Sequence, residues 1–182
     1  PNVPKTARVP LVAPGEPGGW RGSAVGRKRG QDNAAMATSH NCCIRRAIPP
    51  GVGTWAQPGG FLEADETVIQ GAVRETREEA NARVEIGGLY TLFNLPHIDQ
   101  VYLVFRSRLL DLDFGPGAES LETRLVSEAE VPWEEIAFPT IHKTLELYFR
   151  DRAEGRFRLH TGDIVRISQQ PRRYRTTLRS EA

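Results

Sequence analysis

At 182 residues, with 39% hydrophobic and 26% charged side chains, the chain is sized for one domain around a single core. A net charge of +1 supplies no global field that would favour nucleic acid or a membrane surface. No run approaches the roughly 18 to 20 apolar residues of a membrane span. The only cysteines, Cys42 and Cys43, are adjacent. Neighbours do not readily bridge each other, and two thiols cannot complete a four-ligand zinc site, so a reduced, intracellular protein is expected.

Residues 1–39 are rich in Pro, Gly, Ala and Arg, with Glu16 and Asp32 against Lys5, Arg8, Arg21, Arg27, Lys28 and Arg29. No helical or strand period runs through them, and so few large apolar groups cannot offset the entropy of ordering. A disordered basic leader is expected. Its basic, acid-poor composition suits an organelle transit peptide, which would place the protein in a plastid or mitochondrion rather than the cytoplasm. The chain begins at Pro1 and its only methionine is Met36, as in a fragment, a processed form or a mistranslated leader.

Residues 40–154 carry the apolar periodicity of the domain. From about Asp65 to Ala80 the pattern is helical, with Val68, Ile69, Ala72, Val73 and Thr76 as the buried stripe. Ala64-Asp65 offers an N-cap, Glu66 falls in the first turn, and Asn81 suits a left-handed C-cap. Leu89–Phe93 reads as a strand after a Gly87-Gly88 turn, Val101–Phe105 as a buried strand, and Thr123–Val126 as a third. Thr140–Arg152 reads as a helix with Ile141, Leu145, Tyr148 and Phe149 on one face. Residues 155–182 hold seven arginines against Asp163 and Glu181, and are expected to be a solvated basic tail.

Glu75, Glu78 and Glu79 stand three and four residues apart, so their carboxylates share one helix face. Such a cluster repels itself, and Arg74 and Arg77 relieve only part of the repulsion. A hard divalent cation would relieve more, since magnesium takes oxygen ligands and keeps several waters. Arg74, four residues before Glu78, can hold that carboxylate's orientation. Taken by itself the pattern also fits a solvated salt-bridge surface.

The stretch GFLEADETVIQGAVRETREEANA resembles the Nudix box, G-x5-E-x7-R-E-U-x-E-E-x-G-U. Gly60, Glu66, Arg74, Glu75, Glu78 and Glu79 fill six of its fixed positions without a gap. Thr76 and Ala82 replace two bulky apolar residues, and Asn81 replaces the late glycine. The wider segments IRRAIPPGVGTWAQPGGF, EANARVEI, LPHIDQVYLVFR, LLDLDF and ESLETRLVSEAEVPWEEIAF resemble bacterial and plant-plastid Nudix hydrolases of the ADP-ribose or FAD pyrophosphatase kind. Relatives of that kind often carry an N-terminal zinc ribbon, whose Cys pairs this sequence lacks.

The resemblance implies an α+β fold, a Nudix α/β/α sandwich with a mixed central sheet. The hairpin expected before RRAI is missing, so the first strand is shortened or absent. Either Arg8–Ala13 substitutes, or the sheet keeps an open edge. Glu75, Glu78 and Glu79, with the Gly60 carbonyl, are the implied ligands of Mg²⁺, for which Mn²⁺ can substitute; no zinc is expected. Glu78, Glu79 and Arg74 are the implied catalytic residues, joined by a loop base, Glu122 or Glu119, with Glu122 favoured.

Arg45, Arg46, His97 and Gln100 are the candidate substrate contacts, and Trp55 and Phe93 are aromatics that either stack a base or fill the core. The implied reaction is hydrolysis of the pyrophosphate bond of a nucleoside diphosphate derivative such as ADP-ribose or FAD, releasing AMP. A homodimer is compatible with the family; membrane and nucleic-acid partners are not indicated. The alternatives are a catalytically impaired nucleotide-binding module and an RNA-directed hydrolase using the basic tail.

Overall fold

The computed structural model describes residues 7–12, as backbone, and residues 41–179. The strands described are β1 (Ala7–Val12), β2 (Asn41–Arg46), β3 (Trp55–Ala56), β4 (Gly59–Phe61), β5 (Val84–Leu95), β6 (Gln100–Leu109), β7 (Ser120–Val126), β8 (His160–Gln169) and β9 (Arg172–Arg179). The helices are α1 (Val68–Ala80) and α2 (Pro139–Ala153). The main sheet runs β4-β1-β6-β5-β8-β9, and a smaller one runs β3-β2-β7. In the main sheet β1 is parallel to β6 and β5 is parallel to β8, while the other pairs are antiparallel.

Alternation along β6 builds the two faces. Tyr102 and Val104 join Phe93, Ile164 and, from α2, Ile141, Leu145, Tyr148 and Phe149 in one buried cluster. Leu103 and Phe105 point the other way and pack with Ala72 of α1, Leu62 and Leu89. Each helix thus covers one face of a mixed sheet, which is the α/β/α sandwich expected. Trp55 and Phe93 are both buried in the core.

The sheet does have its missing strand. Within the leader expected to be disordered, Ala7–Val12 forms β1 and lies between β4 and β6, with Val9 opposite Gly60 and Ala7 opposite Val101. This is the substitution that RVPLVA offered, one residue earlier than Arg8–Ala13. The rest of residues 1–39 lies outside the described residues, as does the transit-peptide reading.

Two other expectations are corrected. Gly87-Gly88 is not a turn before a strand; it lies inside β5, where the register slips between Ile86 and Leu89. A glycine pair can mark a bulge as well as a turn, and a β-carbon on Gly87 would press on the Arg106 carbonyl oxygen at 3.0 Å. Residues 155–182 are not a solvated tail up to the last described residue: 160–179 form the hairpin β8–β9. Ile164 is fully buried, and Tyr174 packs against the same core. Four of the seven arginines, Arg172, Arg173, Arg175 and Arg179, sit on the edge strand β9, where charge protects an open edge, and they mask the strand period in the sequence.

The junction of α2 and β8 is fastened by Asp151, which is fully buried. Its carboxylate accepts from Tyr90 Oη at 3.2 Å and from the Arg158 amide at 3.2 Å, and it meets His160 Nε2 at 2.6 Å. Burial alone would push this carboxyl up, but the bonds from His160, Arg158 and Arg150 outweigh burial and hold it below the usual range. A depressed native pKa contributes stability above the unfolded value of about 3.9 and loses it as pH falls through the native one. Thermal melts of the wild type should therefore fall steeply below about pH 4, and Asp151→Asn should lack that component. The variant should also lose about 2–3 kcal/mol at neutral pH. Identical acid slopes in the two proteins would remove Asp151 from this role.

Candidate active site

The helix that carries the glutamates starts later than the local signals suggested. Its N-cap is Thr67, not Ala64-Asp65. Thr67 Oγ1 accepts from the Gln70 amide at 3.2 Å, and Gln70 Oε1 accepts from the Thr67 amide at 2.8 Å. This is a capping box whose T-x-x-Q signature was present in the sequence. Asp65 instead takes a left-handed φ of 66°, in the turn before the helix. Asn81 closes the helix with φ 48° as expected. The buried stripe is Gly71, Ala72, Thr76, Glu79 and Ala80. Ile69 and Val73 are 49% and 37% exposed, so the expected stripe is rotated toward Glu79. Thr76, the polar residue in an apolar place, satisfies its hydroxyl on the Ala72 carbonyl at 2.8 Å.

Glu66 is displaced from the first turn to a position before the cap, where it does something more specific than favour the helix dipole. It accepts from the Glu63 amide at 2.7 Å and takes a two-pronged pair from Arg74, Nε at 3.0 Å and Nη2 at 2.7 Å. Arg74 uses its remaining donors on Glu75 at 2.8 Å, on Glu78 at 3.0 Å, and on the Phe61 carbonyl at 3.1 Å. One guanidinium therefore ties together three carboxylates and strand β4. The Arg74 fork, with the Glu63 amide, pulls Glu66 down to about 2, so it stays ionised.

Glu79 projects inward and is 4% exposed, while the Glu78 side chain is 58% exposed. Glu79 accepts from the Gly59 amide at 2.8 Å. Burial pushes its carboxyl up to about 7; Glu75 and Glu119 add to the rise, and the Gly59 amide and Arg46 oppose it. Glu75 is also raised, chiefly by burial. Gly60 has no room for a side chain, since a β-carbon there would overlap the Glu75 carboxylate.

Among the described residues, no three His, Cys, Asp or Glu side chains converge on one metal-sized point. Arg74 draws Glu75 and Glu78 to itself. The donor set nonetheless fits a hard divalent cation: all its members are oxygens, and Glu79 is buried among like charges that disfavour its ionised form.

The structure brings Arg46 and Glu119 to this cluster. Arg46 is buried, donates to the Pro50 carbonyl at 2.9 Å, and its charge bears on Glu79. Glu119 bears on both Glu75 and Glu79. Glu122, the carboxylate favoured from sequence, instead pairs with Arg124 on β7, opposite Arg45. Arg45 is exposed and donates to the Gly53 carbonyl at 2.9 Å.

His97 lies in the short 3₁₀ turn Pro96–Ile98, and Gln100 begins β6 directly beyond it. His97 stacks near Tyr174 of β9, with ring centroids 5.6 Å apart, in the turn that joins β5 to β6. Gly117 escaped the sequence reading. Its α-carbon lies against the Glu78 carbonyl, a contact between loop and helix with no local signal.

Gly60→Ala should shift the Glu75 carboxylate and cost about 100-fold in turnover while leaving the fold intact, by the sensitivity of such sites to displacements near 1 Å. Arg74→Lys keeps the charge but loses the planar fork, and a comparable loss is expected. Full turnover in either variant, measured with unchanged circular dichroism, would show that this packing does not set the geometry.

A family model for the NUDIX domain matches residues 33–155. A solved NUDIX hydrolase from Nitrosomonas europaea is 44% identical, with a TM-score of 0.73, covering 88% of this chain and 79% of that one. A putative 8-oxo-dGTP diphosphatase 3 of Mycobacterium tuberculosis is 36% identical over 86 residues, 43% of this chain and 40% of that protein. An ADP-ribose pyrophosphatase of Methanocaldococcus jannaschii is 38% identical over 56 residues, 31% of this chain and 33% of that protein. The chain thus spans less than half the length of these two curated relatives. With the sandwich fold, the glutamate helix and the family model in agreement, the chain belongs to the Nudix family.

Proposed function

We propose that the protein hydrolyses the pyrophosphate bond of a nucleoside diphosphate derivative such as ADP-ribose or FAD, with Mg²⁺ or Mn²⁺, releasing AMP. The observation that carries this reading is the cluster itself: Arg74 organises Glu66, Glu75 and Glu78 beside a buried Glu79, with Gly60 against Glu75.

Glu75, Glu78 and Glu79 are the residues that would hold the cation, with the Gly60 carbonyl beside them. When bound, a divalent cation neutralises diphosphate charge and acidifies water. Arg74 keeps Glu75 and Glu78 in register, and Arg46 adds positive charge beside Glu79. Glu119, not Glu122, is our choice of base, because its charge bears on Glu75 and Glu79. Its carboxylate oxygen takes the proton of the attacking water. The water oxygen bonds to one phosphorus as the bridging oxygen leaves with the other phosphate. The name of the archaeal relative supports ADP-ribose as substrate, and that of the mycobacterial one puts 8-oxo-dGTP in the same panel.

A panel of ADP-ribose, FAD, NADH, 8-oxo-dGTP and capped RNA, assayed with Mg²⁺, should show AMP release from ADP-ribose or FAD. Glu79→Gln should abolish it, and unchanged turnover in that variant would sink the metal-site reading. Glu119→Gln should lower kcat by about 100-fold or more, the scale of general-base catalysis, and Glu122→Gln by much less. The reverse order would return the role to Glu122.

A further inference from the structure

The last carbonyls of α1 are bonded in an unusual way. Arg77 O accepts from the Asn81 amide at 2.9 Å, an ordinary C-cap. Glu79 O and Ala80 O are instead taken by a distant loop: Gly117 N donates to Glu79 O at 3.0 Å, and Gly115 N donates to Ala80 O at 2.9 Å. The remaining carbonyl, Glu78 O, lies where a β-carbon on Gly117 would be. Between these two glycines, Pro116 O accepts from Asn81 Nδ2 at 2.9 Å. A helix end needs such partners for its orphan carbonyls, and here the partner is the segment that leads to Glu119.

The segment is also fixed at its other end. Ser120 N donates to Gly117 O at 3.1 Å, and Ala47 N donates to Glu119 O at 2.9 Å. Ala47 directly follows Arg46, the cation beside Glu79. The backbone of Glu119 is therefore held between the helix that bears Glu79 and the strand that bears Arg46.

We propose that Asn81 is a positioning residue: its side-chain amide, through Pro116, clamps the 115–117 segment onto the end of α1 and thereby sets the Glu119 carboxylate opposite Glu75 and Glu79. The Asn81 backbone needs the left-handed conformation, which glycine also supplies. The amide is what glycine lacks. The two properties are separable, and this makes the proposal testable. Its catalytic part rests on the functional reading above; its structural part does not.

Asn81→Gly keeps the cap and removes only the donor. Asn81→Asp tolerates the same backbone but turns an acceptor toward the Pro116 carbonyl. Both are compared with the wild type by hydrogen exchange at the Gly115 and Gly117 amides, and by Mg²⁺-dependent hydrolysis of ADP-ribose. Faster exchange at both amides is expected, about three- to tenfold in Asn81→Gly and more in Asn81→Asp, as for one lost hydrogen bond. A matching fall in kcat with unchanged KM should accompany it, because Glu119 acts in the chemical step. A purely structural role would lower the melting temperature without separating kcat from KM. Unchanged exchange overturns the clamp whatever the activity. Faster exchange with unchanged kcat overturns the positioning of Glu119. If the wild type turns over neither ADP-ribose nor FAD, the functional reading falls, and the exchange rates decide the clamp alone.

Discussion

The forked pair between Arg74 and Glu66 is the constraint around which the site is built. A guanidinium offers five donors in one plane, and all the directions it offers here are used. Two go to Glu66, one edge reaches Glu75 and Glu78, and another reaches the carbonyl of Phe61 in β4. Glu66 lies before the helix cap and is itself held by the Glu63 amide. The fork therefore fixes the helix against both the turn that precedes it and the strand that carries Gly60. Without it, acidic side chains one turn apart would splay into solvent, since like charges at that spacing destabilise a helix face.

The site also depends on how the helix ends. Local rules supply Thr67 at one end and Asn81 at the other, but they leave carbonyls of the last turn without partners. The segment from Gly115 to Gly117 provides them, and in doing so it brings Glu119 to Glu75 and Glu79. The same contact explains Gly117, where any β-carbon would strike the Glu78 carbonyl. A single docking event thus satisfies the backbone and completes the acidic cluster.

Strand β4 shows how far the site relies on remote sequence. Gly59 donates to Glu79, and Gly60 lies against Glu75, yet β4 is at the edge of the sheet with β1 as its neighbour. Residues 7–12 lie about fifty positions before it in the chain. At the opposite edge, β8 and β9 extend the sheet, burying Ile164 in the core shared with α2 and packing Tyr174 against it. The glutamate helix and α2 thus pack on opposite faces of one sheet.

Much of this was legible in the sequence because it obeys short-range rules. The three- and four-residue spacing places Glu75, Glu78 and Glu79 on one helix face, the box residues Gly60, Glu66 and Arg74 give that face its partners, and Asn81 ends the helix. The buried faces of α2 and β6 follow from their own periods. What tertiary structure alone decided involves residues far apart in the chain or signals with two local meanings. Gly87-Gly88 is a bulge because β6 runs alongside it, and the arginine-rich 160–179 is a hairpin because β5 offers an edge. The charge of Glu119 bears on the cluster while Glu122, three residues away, pairs with Arg124. Period and spacing record which way a side chain leaves its own helix or strand; which distant backbone meets it is set by packing, and that choice brings Glu119 to the glutamate helix.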